Sequence, residues 1–419
     1  MGGDCMSNTD MLNEEALAMH KKFNGKLAVA SKVPVKDGHD LSIAYTPGVA
    51  EPCRKIEKDK NLSFEYTCRG NMVAVISDGT RVLGLGDIGP EAAMPVMEGK
   101  AVLYKTFGDV DAVPICIDAK DPKEFINMVQ RLQPSFGGVN LEDISSPKCY
   151  EIEAELIKTC DIPIFHDDQH GTAIICLAAV LGALRYVKKD IATAKFVVNG
   201  IGAAGSAIGK LLYNLGAKNI IMVDSKGALY EGRGDKLDMA KAYLATVTNK
   251  DKVQGDLATV TKGADVLIGC SKPGVFTADI IKGMGKDAIV FGLANPIPET
   301  TYEAAMAAGA AVAGTGRSDA PNQVNNVCVF PGLFRGALDV RAKAITEEMK
   351  VAAVHAIANL IEDKDLRADY VVPGAFDKRV APAVAEAVAA TAIKQGIARV
   401  QKDPAEIKAE TAKRIANNY

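Results

Sequence analysis

The chain has 419 residues, 48% of them hydrophobic, and a net charge of −3. That length supports two or three domains, each with its own core. No basic excess points to nucleic acid or an anionic membrane, and with no tryptophan and 5% aromatic residues there is no base-stacking platform.

The nine cysteines are scattered and form no C-x-x-C pair. An odd, dispersed set argues against a disulfide framework or zinc ribbon and fits a reducing compartment, hence the cytoplasm. The opening MGGDCMSNTD carries an acid and no apolar core, so it does not read as a secretory signal. Its Gly2 invites myristoylation, but Met6 stands where that motif wants Ser or Thr. The longest apolar run, 174–184, is too short to span a bilayer.

After a charged, mixed start, NMVAVIS at 71–77 and AVPICID at 112–118 read as strands, with a helix over 91–107 between them. Asp121-Pro122-Lys123-Glu124 opens the next helix, with a capping acid, a first-turn proline and a glutamate three after the cap. Ser146-Pro147 predicts another start of the same kind. This alternation argues for layered α/β architecture. Beyond His170 the pattern becomes regular. Short β-rich runs at 195–199, 219–223, 264–270, 288–293 and 310–314 have helical stretches between most of them. That is the signature of a doubly wound parallel sheet. From Ile345 the chain is Ala-rich and helical. Thr346, Glu347 and Glu348 form its cap, and Val354, Ile357 and Ile361 make one apolar face. The charged tail beyond Asp403 reads as a solvated helix.

KFVVNGIGAAG places Gly200, Gly202 and Gly205 in G-x-G-x-x-G spacing directly after a strand. The first glycine allows the turn, the second lets backbone approach a pyrophosphate, and the third lets helix pack on strand. Ala203 stands within the same turn. A second strand ends at Asp224, 19 residues after Gly205, where an acid meets the adenosine ribose. The prediction is a nicotinamide dinucleotide site. Asp224 accepting from a free 2′-hydroxyl favours NAD. Lys226, Lys195 or Arg233 neutralising a 2′-phosphate favours NADP, and the balance leans slightly to NADP.

Glu142-Asp143 and Asp167-Asp168 are adjacent acids at expected strand ends in apolar surroundings. Like charges crowded this way need a cation, whereas capping acids in a solvated loop do not. The apolar flanks favour the cation. His166-x-x-x-His170 has helical zinc spacing but begins just after a strand, so hydrogen-bonding or packing histidines are the better reading. On their own, Tyr45 reads as a turn anchor and Lys100 as a helix lysine.

Taken together, the motifs resemble malic enzyme. They are Tyr45-Thr46-Pro47-Gly48, GLGDIG at 84–89, EGKAVLYK around Lys100, NLEDI, FHDDQHGTA, GIGAAG, ANP at 294–296 and GRSDAPNQVNN at 316–326. They follow one another in family order from about Asp40 to the C-terminal helices, in a chain of the short bacterial and archaeal-like length. The phosphotransacetylase-like extension of some members is not represented. The resemblance implies an N-terminal α/β catalytic domain (1–165), a Rossmann-like domain (166–340) and a C-terminal helical segment (341–419). It implies oxidative decarboxylation of malate to pyruvate with NADP or NAD. Glu142, Asp143 and Asp168 would bind Mn²⁺ or Mg²⁺, with Asp167 tuning them. Lys100 would be the general base, lowered towards about pH 7–8 by burial and nearby cations, and Tyr45 the general acid. Arg81, Asn295, Asn325 and Asn326 would hold malate and the nicotinamide end. A homodimer is expected, with one subunit's Tyr45 or Lys100 able to line the other's cleft. A metal-free amino-acid dehydrogenase leaves the acid clusters unexplained. A non-catalytic sensor would be expected to have lost Lys100, Tyr45 or an acid, and all are present.

Overall fold

The computed structural model describes residues 8–419, so Gly2 and Met6 lie outside it. The described residues build two sheets. The first is all parallel, in the order β2-β1-β3-β4. Its strands are β1 (Met72–Ser77), β2 (Asp111–Cys116), β3 (Gly138–Leu141) and β4 (Ile164–His166). Val73–Ile76 of β1 are completely buried, as expected for a parallel strand covered on both faces. The helix Pro90–Gly108 joins β1 to β2.

The second sheet holds β5 (Lys195–Asn199), β6 (Asn219–Asp224), β7 (Gly227–Ala228), β8 (Val266–Gly269), β9 (Ile289–Gly292) and β10 (Val312–Thr315). Its order is β10-β9-β8-β5-β6-β7, parallel except for the two-residue β7. The order reverses between β5 and β8, which opens a crevice at their carboxyl ends. All five β-rich runs beyond His170 are strands here. β3 and β4 are the strands expected to end at the acid pairs, although β4 takes in His166 rather than stopping before it.

The helix Asp167–Val187 leaves β4 directly. At 21 residues it is long and apolar enough to cross a membrane by length and composition alone, although its uninterrupted apolar run covers only 174–184. It is instead a core helix. Its buried residues share one core with Val73 and Val75 of β1 and with Phe196 and Val198 of β5.

Asp121 caps its helix as expected, accepting from the backbone N–H of Lys123 and Glu124. Ser146 does not. The helix Lys148–Thr159 starts after Pro147 with no capping side chain. Thr346 accepts from Met349 N, and the Met349 sulfur takes the Thr346 N–H in return. The tail helix Pro404–Ile415 is not solvated all round. Ile407, Thr411 and Ile415 are buried at i, i+4 and i+8, so the charges occupy the other faces.

Candidate active site

Strand register brings the acids together. Leu141, the last residue of β3, pairs with His166, the last of β4. Each strand is followed at once by its two acids, so Glu142-Asp143 and Asp167-Asp168 emerge side by side. Asp143 turns in the left-handed region at φ 54°, which lets its N–H donate to Asp168 Oδ2 at 2.8 Å. Its carbonyl accepts from Arg81 N at 3.0 Å. Glu142 is steadied from behind, because Tyr104 OH donates to Asn140 Oδ1 (2.9 Å) and Asn140 Nδ2 donates to Glu142 Oε2 (2.7 Å).

Lys100 reaches this cluster from the helix Pro90–Gly108. Its Nζ lies 2.7 Å from Asp167 Oδ2 and 2.8 Å from Glu142 Oε1, above the Phe330 ring at 4.3 Å. Asn326 Nδ2 donates to the same Asp167 oxygen. Burial by itself disfavours the ammonium, but Asp167 and Glu142 outweigh it and move the Lys100 pKa upward. This reverses the expected depression. The neighbours that hold the lysine are anions, not cations.

The carboxylates are crowded. Glu142, Asp143 and Asp168 each bring an oxygen within 4.8 Å of the others. Burial and the Asp168 charge push Asp143 up to about 7. Asp143 Oδ2 and Asp167 Oδ1 are buried without a hydrogen-bond partner. Hard oxygen donors with surplus negative charge and orphaned atoms fit a divalent cation such as Mg²⁺ or Mn²⁺.

A cleft of about 550 Å³ joins the acids to the second sheet. Its walls include Arg81, Lys100, Glu142, Asp143, Asp168, Ala203, Ser271, Asn295 and Asn326. A larger open groove of about 1100 Å³ runs beside the helices Pro122–Leu132 and Lys148–Thr159. It contains neither the acid cluster nor the glycine turn, so size does not mark the site.

The glycine turn faces the cleft at the switch point. Gly200 has φ 103°. A Cβ on Gly205 would strike the Gly200 carbonyl oxygen, whereas nothing lies within 4 Å of one on Gly202. The third glycine therefore serves packing and the second leaves open space for a phosphate. Buried Glu299 ties the neighbouring loops together, accepting from Ser271 N (2.6 Å) and Ala294 N (2.9 Å). A glutamate three after ANP carried no signal of that role.

Other expected residues stand apart. Tyr45 closes the helix Gly38–Ala44, is 68% exposed and does not line the cleft. Asn325 is not in its wall; its Oδ1 accepts from Val327 N as a cap. Lys195 starts β5, at the end of the sheet opposite the glycine turn, and donates to Lys262 O. It is thus excluded from the 2′-phosphate position. Arg233 grips Asp224 through both terminal nitrogens at 2.9 Å and also holds Asp235. Lys241 bonds Asp224 as well, and Lys226 Nζ lies 3.1 Å from Asp235. Asp224 is therefore an ion-paired acid, not an open acceptor. His166 belongs to β4 and His170 to the following helix, where its Nε2 meets Glu153 at 2.9 Å, so the two do not form a helical metal pair.

A doubly wound sheet with this turn at its switch point defines a dinucleotide-binding oxidoreductase class. Residues 24–123 match the malic enzyme N-terminal domain and residues 169–393 the malic enzyme NAD binding domain. The chain belongs to the malic enzyme family, whose reaction is the oxidative decarboxylation of malate. It is 56% identical to a bifunctional malic/malolactic enzyme of Bacillus subtilis, over 96% of this chain and 98% of that one. It is 50% identical to an NAD-dependent malic enzyme of Geobacillus stearothermophilus, over 94% of this chain and 81% of the other. NADP-dependent malic enzymes are also among its relatives. The crystal structure of malic enzyme from Pyrococcus horikoshii superimposes with a TM-score of 0.94 at 45% identity, covering 97% and 96% of the two chains.

Proposed function

We propose that this chain converts (S)-malate to pyruvate and carbon dioxide while reducing NADP or NAD, with Mn²⁺ or Mg²⁺ held by Glu142, Asp143 and Asp168. One observation carries the reading: a buried lysine and three clustered carboxylates share a cleft with the glycine turn of a dinucleotide fold. The cation supplies Lewis-acid polarisation of the substrate's C2 oxygen. Lys100 takes the C2 hydroxyl proton as hydride leaves C2 for the nicotinamide. Asp167, fixed by Asn326, keeps the amine in place. Glu142, which now holds Lys100 together with Asp167, would also hold the cation, and a Glu142 so engaged would retain the Lys100 proton less strongly. Arg81, Asn295 and Asn326 hold malate from the cleft wall, and Tyr45 protonates C3 after carbon dioxide departs. The test is the fate of the C4 carboxylate of malate, with NAD and NADP compared. Arg233, Lys226 and Lys241 exceed Asp224 and Asp235 by one positive charge at the ribose end of β6. A lower KM for NADP is therefore expected, and a lower KM for NAD reverses that preference.

The assigned acid lies outside the cleft of its own chain, and this supports a homodimer with shared sites; the cytoplasm, inferred from the dispersed cysteines, is its proposed location. More than half of the exposed large apolar side chains among the described residues precede residue 67, including Leu17, Phe23, Val29, Ile43 and Tyr45. The helices Gly38–Ala44 and Ala50–Lys58 bury no side chain. A second copy covering this segment would bring its Tyr45 to the Lys100 cleft. Mixing inactive Tyr45→Phe and Lys100→Ala proteins under subunit exchange tests it. A shared site leaves one intact cleft per heterodimer, so roughly a quarter of wild-type activity should return with random exchange. No recovery, with heterodimers present, places both residues in one chain's site.

A further inference from the structure

We infer that His166, Gln169 and Glu153 form a positioning relay that aims Asp168 at the cation. The inference rests on the reading of Asp168 as a ligand. Its geometry lies behind the acids, in residues to which neither the resemblance nor the proposed chemistry assigns a role.

Glu153 is the anchor. It stands on the helix Lys148–Thr159 and is 6% exposed. Its Oε1 accepts from His166 N at 3.1 Å, and its Oε2 accepts from His170 Nε2 and Gln169 Nε2, both at 2.9 Å. Gln169 Nε2 also lies 2.8 Å from His166 Nδ1. An amide nitrogen has two hydrogens and no acceptor capacity. One goes to the Glu153 carboxylate and the other to Nδ1. Nδ1 is therefore an acceptor, and the ring proton of neutral His166 resides on Nε2.

That nitrogen is fully buried, has no partner in hydrogen-bond geometry, and lies within ion-pair distance of Asp168 Oδ2, at 3.2 Å. Oδ2 is also the oxygen that accepts from Asp143 N. Asp143 N bonds this carboxylate oxygen and the unpartnered His166 Nε2 faces it, and the other oxygen, with no hydrogen bond among the described residues, is available to a cation. Chains of this kind fix the rotamer of a ligand. The spacing explains the sequence: in HDDQH, Gln169 and His170 follow His166 at i+3 and i+4, so one helical turn carries both groups back to Glu153.

The experiment is Mn²⁺ titration of the full-length protein, read by the electron paramagnetic resonance of free Mn²⁺. His166→Leu keeps bulk but removes the donor. It should weaken Mn²⁺ binding about 10–100-fold, the usual cost of losing such support. His166→Gln returns an N–H near the Nε2 position and should bind within about threefold of wild type. Gln169→Leu should also weaken binding, because Nδ1 loses its donor and the ring proton is no longer confined to Nε2. Histidine ¹⁵N shifts of the wild type should show His166 protonated on Nε2. Protonation on Nδ1 overturns the relay even if a variant fails to fold. Wild-type affinity in both leucine variants also overturns it. Absence of Mn²⁺ binding by the wild type removes the ligand reading itself, and the relay with it.

Discussion

Lys100→Arg is expected to abolish malate oxidation while leaving the protein folded. The guanidinium keeps a positive charge against Asp167 and Glu142, which now hold the lysine at 2.7 and 2.8 Å. It cannot surrender its proton near neutral pH. Loss of a general base costs roughly 10²–10⁴-fold in rate. Lys100→Ala should lose as much and should also be less stable, because breaking a buried ion pair leaves its partners uncompensated, at about 3–5 kcal/mol. Oxaloacetate decarboxylation needs no hydroxyl proton removed, so both variants should retain more of it than of malate oxidation. Equal losses in the two assays would assign Lys100 to the carbon–carbon step or to cation binding instead.

Removing one acid should trade metal for stability. Asp143 is pushed up to about 7 by burial and by Asp168, so the charged cluster strains the metal-free fold. Asp143→Asn is nearly isosteric, and asparagine tolerates the left-handed backbone that Asp143 adopts. In chelator its melting temperature should rise above wild type. Its Mn²⁺ affinity should fall by at least the roughly 10–100-fold that follows loss of a mere supporting residue. Asp168→Asn should show the same affinity loss. Melting in chelator and calorimetric Mn²⁺ titration check both halves. A variant that binds Mn²⁺ as well as wild type removes that residue from the ligand set.

The glycine turn was legible in the chain because each of its glycines answers a local steric demand, and Gly205 meets its demand within five residues. The acids were legible as crowded charge at two strand ends, but not as one cluster. Their meeting depends on β3 and β4, strands of four and three residues, too short for alternation to register and paired across 25 positions. The upward shift of Lys100 was not legible at all, because helix and acids come from separate parts of the chain. The tail misled for a simpler reason: the stripe Ile407, Thr411, Ile415 is diluted by charges on the other faces. Tyr45 stands alone on an exposed turn, where no pattern within one chain can say which cleft it serves.

Malate labelled at C4 tests the proposed reaction most directly. Supplied with Mn²⁺ and NADP or NAD, the enzyme should release one labelled carbon dioxide and one unlabelled pyruvate for each reduced cofactor. Chelation should stop all three together. Reduced cofactor that accumulates with the label retained in a four-carbon product, or full turnover in chelator, would contradict a decarboxylating site built on Glu142, Asp143, Asp168 and Lys100.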